Sequence, residues 1–262
     1  MADLDVLLNR LGSWVQEAGQ MAQDLRSPGD FTVKSDGSLV TKADPELERW
    51  LRPLLLEALP GSAIWGEELG WSEPGPEGLW MIDPVDGTSN YAFGSPLWGV
   101  SVALFRHGHL ELGAVAMPDF QELYLARRGA GATLNGEPMA SIPPGEIQPF
   151  EIVSHNDGLP QRYPNEIFPG KVRYTGCIVF DGVYVATQRF RGLIDDKCKL
   201  YDVAAVVTIC RELGADVRYA DGSEFIEADL LANRRIGKPY VIFPLGSSFR
   251  MSPEARFPEQ NP

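Results

Sequence analysis

The chain has 262 residues, of which 44% are hydrophobic and 23% charged, and its formal net charge at pH 7 is −13. This length and composition exclude a disordered chain and allow one large α/β body or two closely packed halves. The acidic balance argues against a nucleic-acid or anionic-membrane partner, because both are bound through clustered Lys and Arg side chains. The excess of acidic residues is compatible with a group of carboxylates that binds metal cations.

The first predicted element is an N-terminal amphipathic helix. Its apolar residues recur at helical spacing and are Leu4, Leu7, Leu8, Leu11, Val15 and Ala18. This segment lacks the uninterrupted apolar run of a signal peptide, and no stretch is long and apolar enough to span a membrane. The three cysteines, Cys177, Cys198 and Cys210, show neither C-x-x-C spacing nor an even count. We therefore expect ordinary reduced thiols and a cytoplasmic protein.

Residues 34–41 form a turn-rich segment that is expected to lead through a short strand into a second helix, beginning near Asp44. Asp44 can cap that helix, Pro45 suits its first turn, and Pro60-Gly61 ends it. Its apolar residues are Leu47, Trp50, Leu51, Leu54, Leu55 and Ala58. The acidic pair Glu67-Glu68 follows directly after a predicted strand.

The stretch from Trp80 to Asn90 places two carboxylates, Asp83 and Asp86, three residues apart where an apolar strand enters a glycine turn. A proline between the two aspartates fixes its own φ, and Gly87 lets the backbone turn tightly and approach a ligand. Thr88 offers a hydroxyl and an N–H where a helix could begin. The stretch therefore predicts a site at which a hard metal ion and a phosphate meet.

From Trp98 to Arg127 the sequence predicts an antiparallel meander with its first turn at residues 106–109. The following half is expected to be more α/β. Its predicted strands cover residues 151–154, 171–174 and 240–243, and its predicted helices cover residues 177–187 and 202–213. The segment 141–150 is rich in Pro and Gly. We expect it to join an N-terminal α+β half, residues 1–140, to a C-terminal α/β half, residues 141–262.

Four segments together resemble the inositol monophosphatase family of magnesium-dependent, lithium-sensitive phosphatases. They are Val40–Asp44, Trp65–Glu68, Asp83–Thr88 and Tyr201–Ala205, and their order and spacing match the family's. The Asp-Pro-x-Asp-Gly-Thr element is specific, whereas Gly-Glu-Glu or Asp-x-Ala-Ala alone would be weak. The resemblance implies an α+β / α/β fold, the layered αβαβα sandwich of inositol monophosphatases and fructose-bisphosphatases, with the site between the two halves.

Carried over residue by residue, the resemblance implies two or three magnesium ions, for which Mn²⁺ could substitute. Glu67, Asp83 and the carbonyl of Val85 would hold one ion. Asp83, Asp86 and Asp202 would hold a second. Oxygen-only ligands suit Mg²⁺ or Mn²⁺ rather than zinc, and two ions about 3.5–4 Å apart can clamp both the attacking and the leaving oxygen of an in-line displacement.

The resemblance also implies hydrolysis of a small phosphate monoester by a metal-activated water, without a phospho-enzyme. Glu67 and Thr88 would orient this water, and Asp44 would accept a proton from or through Thr88. The N–H groups of Gly87 and Thr88 would receive the phosphate. Lithium inhibition and a homodimer are implied in the same way.

On the alcohol side of the ester, the resemblance places Gly176 and Cys177 at the start of a helix that lines the substrate. The chain departs from the family pattern here. Cys177 and Ile178 stand where the family has small residues, and Asp195 stands where it has a longer acid that binds a substrate hydroxyl. Tyr201 replaces the family's tryptophan, and Val206 replaces its glycine. Segments 93–99 and 199–202 are also similar to histidinol-phosphate phosphatases of the same superfamily, so another small monoester stays open as the substrate.

Simpler interpretations of the same residues stay open as well. Asp44 and Asp202 could each be a helix cap, and Glu67-Glu68 could be a solvated loop pair. The two aspartates at 83 and 86 could belong to an Asp-rich turn. His107 and His109 lie in a predicted turn, and we expect them to be exposed rather than metal ligands.

Three other functions bear on these residues. A bisphosphate nucleotidase of the same superfamily would need a pocket that stacks adenine. A catalytically silent, metal-binding regulator could keep the fold, but the intact acidic set argues against it. Haloacid dehalogenases also use an Asp-rich Gly-Thr turn, yet their aspartates lie two apart and the first attacks phosphate. Here Asp83 and Asp86 lie three apart, so a covalent aspartyl-phosphate is not expected.

Overall fold

The protein is described by a computed structural model that covers residues 3–227, 231 and 236–252. The helices within these residues are α1 (Leu4–Leu25), α2 (Ala43–Ala58), α3 (Thr88–Ala92), α4 (Leu159–Arg162), α5 (Ile178–Ala186) and α6 (Leu200–Glu212). A 3₁₀ turn covers Pro118–Phe120. In this part of the chain, every helix is too short or too polar to cross a membrane.

The strands form a short hairpin and two sheets. The hairpin pairs β1 (Thr32–Val33) with β2 (Leu39–Val40). The first sheet contains β3 (Ser62–Gly66), β4 (Gly70–Trp71), β5 (Gly78–Asp86), β6 (Gly99–Arg106), β7 (His109–Met117), β8 (Glu122–Arg127), β9 (Gly131–Leu134) and β10 (Glu137–Pro138). The second contains β11 (Ile152–His155), β12 (Lys171–Arg173), β13 (Gly192–Asp195), β14 (Ala215–Tyr219) and β15 (Tyr240–Pro244).

The strand order of the first sheet is β10-β9-β8-β7-β6-β5-β3-β4, and that of the second is β12-β11-β13-β15-β14. In the first sheet β3 and β5 run parallel, whereas the meander from β5 to β10 is antiparallel. In the second sheet β11 runs parallel to β12 and β13, and β15 is antiparallel to its neighbours. The sheets lie between helical layers, which confirms the predicted αβαβα sandwich.

Side-chain alternation along the strands builds the layers. On β6, Val100, Val102 and Leu104 belong to the core under α1 and α2, while Ala103 and Phe105 belong to the core shared with α5 and α6. Neighbouring residues on a strand point to opposite faces of the sheet. Strand β6 is buried along its whole length because both of its faces are covered.

Most predicted elements are confirmed. The N-terminal helix, the meander and the strands and helices predicted after residue 150 are present, and His107 and His109 are exposed. The second helix begins at Ala43 and the last described helix at Leu200, each slightly before its predicted start. Strands β13 and β14 were not predicted. Residues 139–151 link the last strand of the first sheet to the first strand of the second, and the division into two halves there stays a prediction.

Helices α5 and α6 contact each other between the sheets through Gly182 and Val206. A Cβ on Gly182 would lie 2.5 Å from the Cβ of Val206 and 2.7 Å from its Cγ1. Both residues are buried. Val206, which departs from the family's glycine, is therefore accommodated by a glycine on the facing helix.

We expect Gly182→Ala to destabilise the protein by about 1–3 kcal/mol, because the added methyl overpacks this contact. The better helix propensity of alanine offsets about 1 kcal/mol of that cost. Urea unfolding in the wild-type and Val206→Ala backgrounds measures the coupling between the two sites. An equal effect of Gly182→Ala in both backgrounds would show that the overlap with Val206 is not the cause.

Candidate metal centre

The parallel pair β3 and β5 places two acidic residues at one edge of the first sheet. Gly66 lies opposite Ile82 in the register, and the N–H of Glu67 donates to the carbonyl of Ile82 at 3.2 Å. Parallel strands bring their carboxyl ends to the same edge. Glu67 and Asp83 therefore follow matched positions of neighbouring strands and lie side by side.

A β-bulge then separates Asp83 from Asp86. Asp83 pairs with Ser101 and Asp86 with Gly99, so three steps along β5 match two steps along β6. Pro84 lies in the bulge and has no N–H to donate to the ladder. The carboxylate of Asp83 accepts a hydrogen bond from the N–H of Val85 at 3.1 Å, which fixes its direction.

Gly87 turns the chain from β5 into α3. Its φ is +82°, in the left-handed region that favours glycine. A Cβ at this position would lie 2.8 Å from the carbonyl oxygen of Leu97 and 2.9 Å from the Cβ of Cys177. The motif thus requires glycine here both for backbone conformation and for space.

Glu67, Asp83 and Asp202 form a compact carboxylate group. One oxygen from each lies within 4.8 Å of the others, and Asp83 is only 2% exposed. Burial raises the pKa of Asp83 and of Asp202 well above the usual value, and Glu67 adds repulsion to both. Three oxygen donors with unbalanced negative charge fit a hard divalent cation such as Mg²⁺ or Mn²⁺.

Asp202 serves two purposes at the start of α6. It lies in the first turn of the helix, and its Oδ2 accepts a hydrogen bond from the N–H of Lys199 at 2.7 Å. The expectation that the helix would begin at Asp202 was therefore two residues late. The same side chain belongs to the carboxylate group, so local capping and metal binding are compatible at this residue.

Asp86 lies outside this compact group. Its Oδ2 accepts hydrogen bonds from the N–H of Val179 at 2.6 Å and from the Sγ of Cys177 at 2.8 Å. Burial raises the pKa of Asp86 to about 6, although these two hydrogen bonds favour its charged form. The predicted carbonyl ligand, Val85, accepts the Thr88 hydroxyl at 2.9 Å. The roles of Asp86 and Val85 as metal ligands stay predictions.

Asp44 does not cap α2 as expected. The helix begins one residue earlier, with Lys42 as an N-cap that makes no side-chain capping bond, and the hydroxyl of Thr41 accepts from the N–H of Ala43 at 3.3 Å. The Asp44 Oδ2 accepts in return from the N–H of Thr41 at 2.9 Å, and its Oδ1 lies 3.2 Å from the hydroxyl of Thr88. Burial raises the pKa of Asp44, which is fully buried. The structure thus brings together the predicted Asp44–Thr88 pair.

The predicted alcohol-side residues surround the start of α5 and the end of β13. Gly176 has a φ of +74°, and Cys177 follows it as the residue before α5, with its Sγ accepting from the N–H of Phe180 at 3.3 Å. Asp195 ends β13, and its Oδ1 accepts from the N–H groups of Lys197 and Cys198, each at 2.9 Å. Asp195 is only 1% exposed. One of its oxygens is therefore used to hold a turn.

Two residues of the site were missed by the sequence analysis. Lys34, in the turn between β1 and β2, donates to a carboxylate oxygen of Glu67 at 3.0 Å and also pairs with Glu68. Glu48, on α2, is fully buried and accepts from the N–H of Glu68 at 2.8 Å. A signal for Glu48 existed, because it lies four residues after Asp44 and between apolar residues of the buried helix face.

A layered fold that supports clustered carboxylates beside a glycine turn is the architecture expected of a metal-dependent phosphatase. The chain belongs to the inositol monophosphatase family, whose profile matches residues 3–242. It is a phosphatase that hydrolyses phosphate monoesters. A histidinol-phosphatase from Chlorobaculum parvum is 32% identical over 208 residues, which are 76% of this chain and 80% of that protein. An inositol-1-monophosphatase from Rhizobium meliloti is 33% identical over 233 residues, or 82% and 86% of the two chains.

Solved structures share the fold. A staphylococcal inositol monophosphatase-1, described as an inhibitory complex soaked in 100 mM LiCl, has a TM-score of 0.80 at 24% identity and covers 92% of this chain and 90% of that chain. An IMPase/NADP phosphatase complexed with Mg²⁺ and phosphate has a TM-score of 0.75 at 24% identity, with 92% and 90% covered. At this identity the likeness establishes the architecture.

We expect Mg²⁺ to stabilise the protein more at pH 8 than at pH 5. Without metal, the raised pKa values of Asp83, Asp86 and Asp202 make the folded state lose stability as pH rises from about 4 through those values. A divalent ion balances the carboxylates once they are charged. The measurement is the difference in Tm between Mg²⁺ and EDTA at each pH, with matched ionic strength. An equal difference at both pH values would contradict this interpretation.

Proposed function

We propose that this protein is a Mg²⁺-dependent phosphatase of a small phosphate monoester, such as an inositol-1-phosphate-like polyol phosphate or a sugar phosphate. The observation that carries the proposal is the carboxylate group of Glu67, Asp83 and Asp202. It lies at the edge of the first sheet, where β5 enters the Gly87-Thr88 turn. A cation-binding group and a turn that favours close approach of a phosphate thus come from one short stretch of chain.

In this proposal Glu67, Asp83 and the Val85 carbonyl hold one ion, and Asp83, Asp86 and Asp202 hold a second. When bound, the ions would lower the pKa of an attacking water and balance the negative charge of the phosphate. The Mg²⁺ and phosphate in the related IMPase/NADP phosphatase support this chemistry. Asp83, which lies within 4.8 Å of both Glu67 and Asp202, would contribute to both positions.

The chain's own residues would hold the water and the phosphate. Thr88 and Asp44 lie 3.2 Å apart, so the buried carboxylate can accept a proton that passes through the hydroxyl. Glu67, partly exposed at the edge of the sheet, would orient the water together with Thr88. The N–H groups of Gly87 and Thr88 would donate to phosphate oxygens.

For the alcohol group we propose contacts with Gly176, Cys177 and the carboxylate of Asp195. Asp195 Oδ1 accepts two backbone hydrogen bonds, so in this proposal its other oxygen faces the substrate. Histidinol phosphate is a second candidate substrate, supported by the 32% identity with a histidinol-phosphatase. A substrate that carries an amine would complement the acidic residues of this region electrostatically.

The first experiment measures phosphate release with Mg²⁺ from inositol phosphates, fructose bisphosphate, histidinol phosphate, glycerol phosphate and adenosine bisphosphate. Each reaction is repeated with EDTA, and active ones with lithium. We expect one strong, EDTA-sensitive activity. Turnover of adenosine bisphosphate alone would favour the nucleotidase, and no release across the panel, together with Mg²⁺ binding, would favour a silent metal-binding protein.

We expect Asp83→Asn to abolish Mg²⁺-dependent phosphate release while the fold remains. The amide keeps the shape and the bond to Val85 N–H but removes a charge from the ligand group. Because repulsion in the metal-free protein also falls, Tm in EDTA should not decrease. Asp24→Asn, at an exposed position on α1, is the matched control. Near-normal release by the Asp83→Asn protein would refute the assigned metal site.

We further propose that the protein is a homodimer, on the basis of its family. Sedimentation at working concentration should then give about twice the chain mass of 28.8 kDa. A single species of 28.8 kDa would reject the dimer without touching the catalytic proposal.

A further inference from the structure

Glu48 is a fully buried carboxylate on α2 that has no part in the chemistry described above. It is 0% exposed and lies one helical turn after Asp44, on the same face of the helix. A buried carboxylate is costly unless it is paired and hydrogen-bonded. The partners of Glu48 therefore indicate why the fold keeps a charge in this place.

The carboxylate of Glu48 accepts most of its hydrogen bonds from the segment that directly follows Glu67. Its Oε2 accepts from the N–H of Glu68 at 2.8 Å and from the N–H of Leu69 at 3.2 Å. Its Oε1 accepts from Arg52, one turn further along α2, at 2.9 Å. Arg52 also donates to the carbonyl of Gly70 at 2.8 Å. Two side chains of one helix thus hold backbone groups of three consecutive residues, Glu68, Leu69 and Gly70, just after the predicted metal ligand.

Gly66 shows how closely the carboxylate approaches the loop. A Cβ on Gly66 would overlap the carboxylate of Glu48. Gly66 does not have a positive φ, so its backbone conformation is open to other residues. The glycine in the Gly-Glu-Glu motif is therefore needed for the space that the Glu48 carboxylate fills.

The hydrogen bonds between Glu48 and this segment matter most in the metal-free protein. One oxygen of Glu67 lies within 4.8 Å of two other carboxylates, which repel it when charged, and Lys34 pairs with it at 3.0 Å. The N–H of Glu67 is held by Ile82, and the next two N–H groups are held by Glu48. The backbone is thus fixed on both sides of the Glu67 side chain.

We propose that Glu48 and Arg52 form a clamp that positions Glu67 as a metal ligand. Glu48 is a positioning residue, since it contacts neither the metal position nor the substrate. The proposal rests on the proposed function in that it takes Glu67 to be a ligand of Mg²⁺. A merely structural role would lower stability without changing the affinity for the ion.

The test compares Glu48→Gln with the wild-type protein by calorimetric titration of the metal-free protein with Mg²⁺. Glutamine keeps the size of the side chain but replaces one acceptor oxygen with a donor and removes the charge that pairs with Arg52. We expect Kd for Mg²⁺ to rise about 10- to 100-fold, the usual effect of losing a group that orients a ligand.

Hydrogen exchange in EDTA gives a second readout that needs no metal. The amides of Glu68 and Leu69 should exchange faster in Glu48→Gln than in the wild type, because both lose a carboxylate acceptor. Glu46→Gln is the matched control, since Glu46 is exposed on the same helix and pairs only with Arg49, at 3.0 Å, among the described contacts. It should change neither Kd nor exchange.

Arg52→Gln decides the question if Glu48→Gln fails to fold. Arg52 is partly exposed, and its replacement leaves both N–H bonds of Glu48 in place, so we expect a smaller rise in Kd in the same direction. An unchanged Kd in a folded Glu48→Gln protein, or in Arg52→Gln when Glu48→Gln does not fold, would overturn the clamp. If the wild-type protein binds no Mg²⁺, the proposed function fails. Independently of that result, unchanged hydrogen exchange at Glu68 and Leu69 in the Glu48→Gln protein would overturn the clamp.

Discussion

Repulsion among Glu67, Asp83 and Asp202 is the interaction on which the arrangement of this protein depends. One oxygen from each lies within 4.8 Å of the others at an edge of the first sheet, and burial, with added repulsion from Glu67, raises the pKa values of the two aspartates. Such a group cannot hold itself together without a cation. Its geometry in the metal-free chain must come from backbone that the surrounding layers keep rigid.

The layers supply that rigidity from three directions. The register of β3 and β5 sets Glu67 beside Asp83, and the first turn of α6 brings Asp202 from the layer between the sheets. Helix α2 supports the site from the opposite layer, with Asp44 directed to Thr88 and Glu48 to the segment after Glu67. A site that is unfavourable by itself is thus held between two independently packed cores.

The resemblance of four short segments to a known family implied the fold and the site segments, and proline and glycine at residues 83–88 indicated the turn that enters α3. The expectation that Asp44 caps α2 was wrong, because Lys42 is the N-cap, whereas the Oδ1 of Asp44 does lie 3.2 Å from the hydroxyl of Thr88, the residue with which it was predicted to act. Glu48 was missed because its role depends on contacts about 20 residues away in the chain.

The parallel pairing of β3 and β5 also affects how the chain can vary. The distance between Glu67 and Asp83 is set by the ladder, not by the length of the connection between them. Residues 66–71 are fixed by Glu48, Arg52 and the pairing of β4, and Gly75 and Glu77 are held against Gly61, whereas residues 73 and 74 are exposed. Insertions and deletions should therefore accumulate at residues 73 and 74 among homologues, and this is also where a reporter or affinity tag could be inserted without moving the carboxylates.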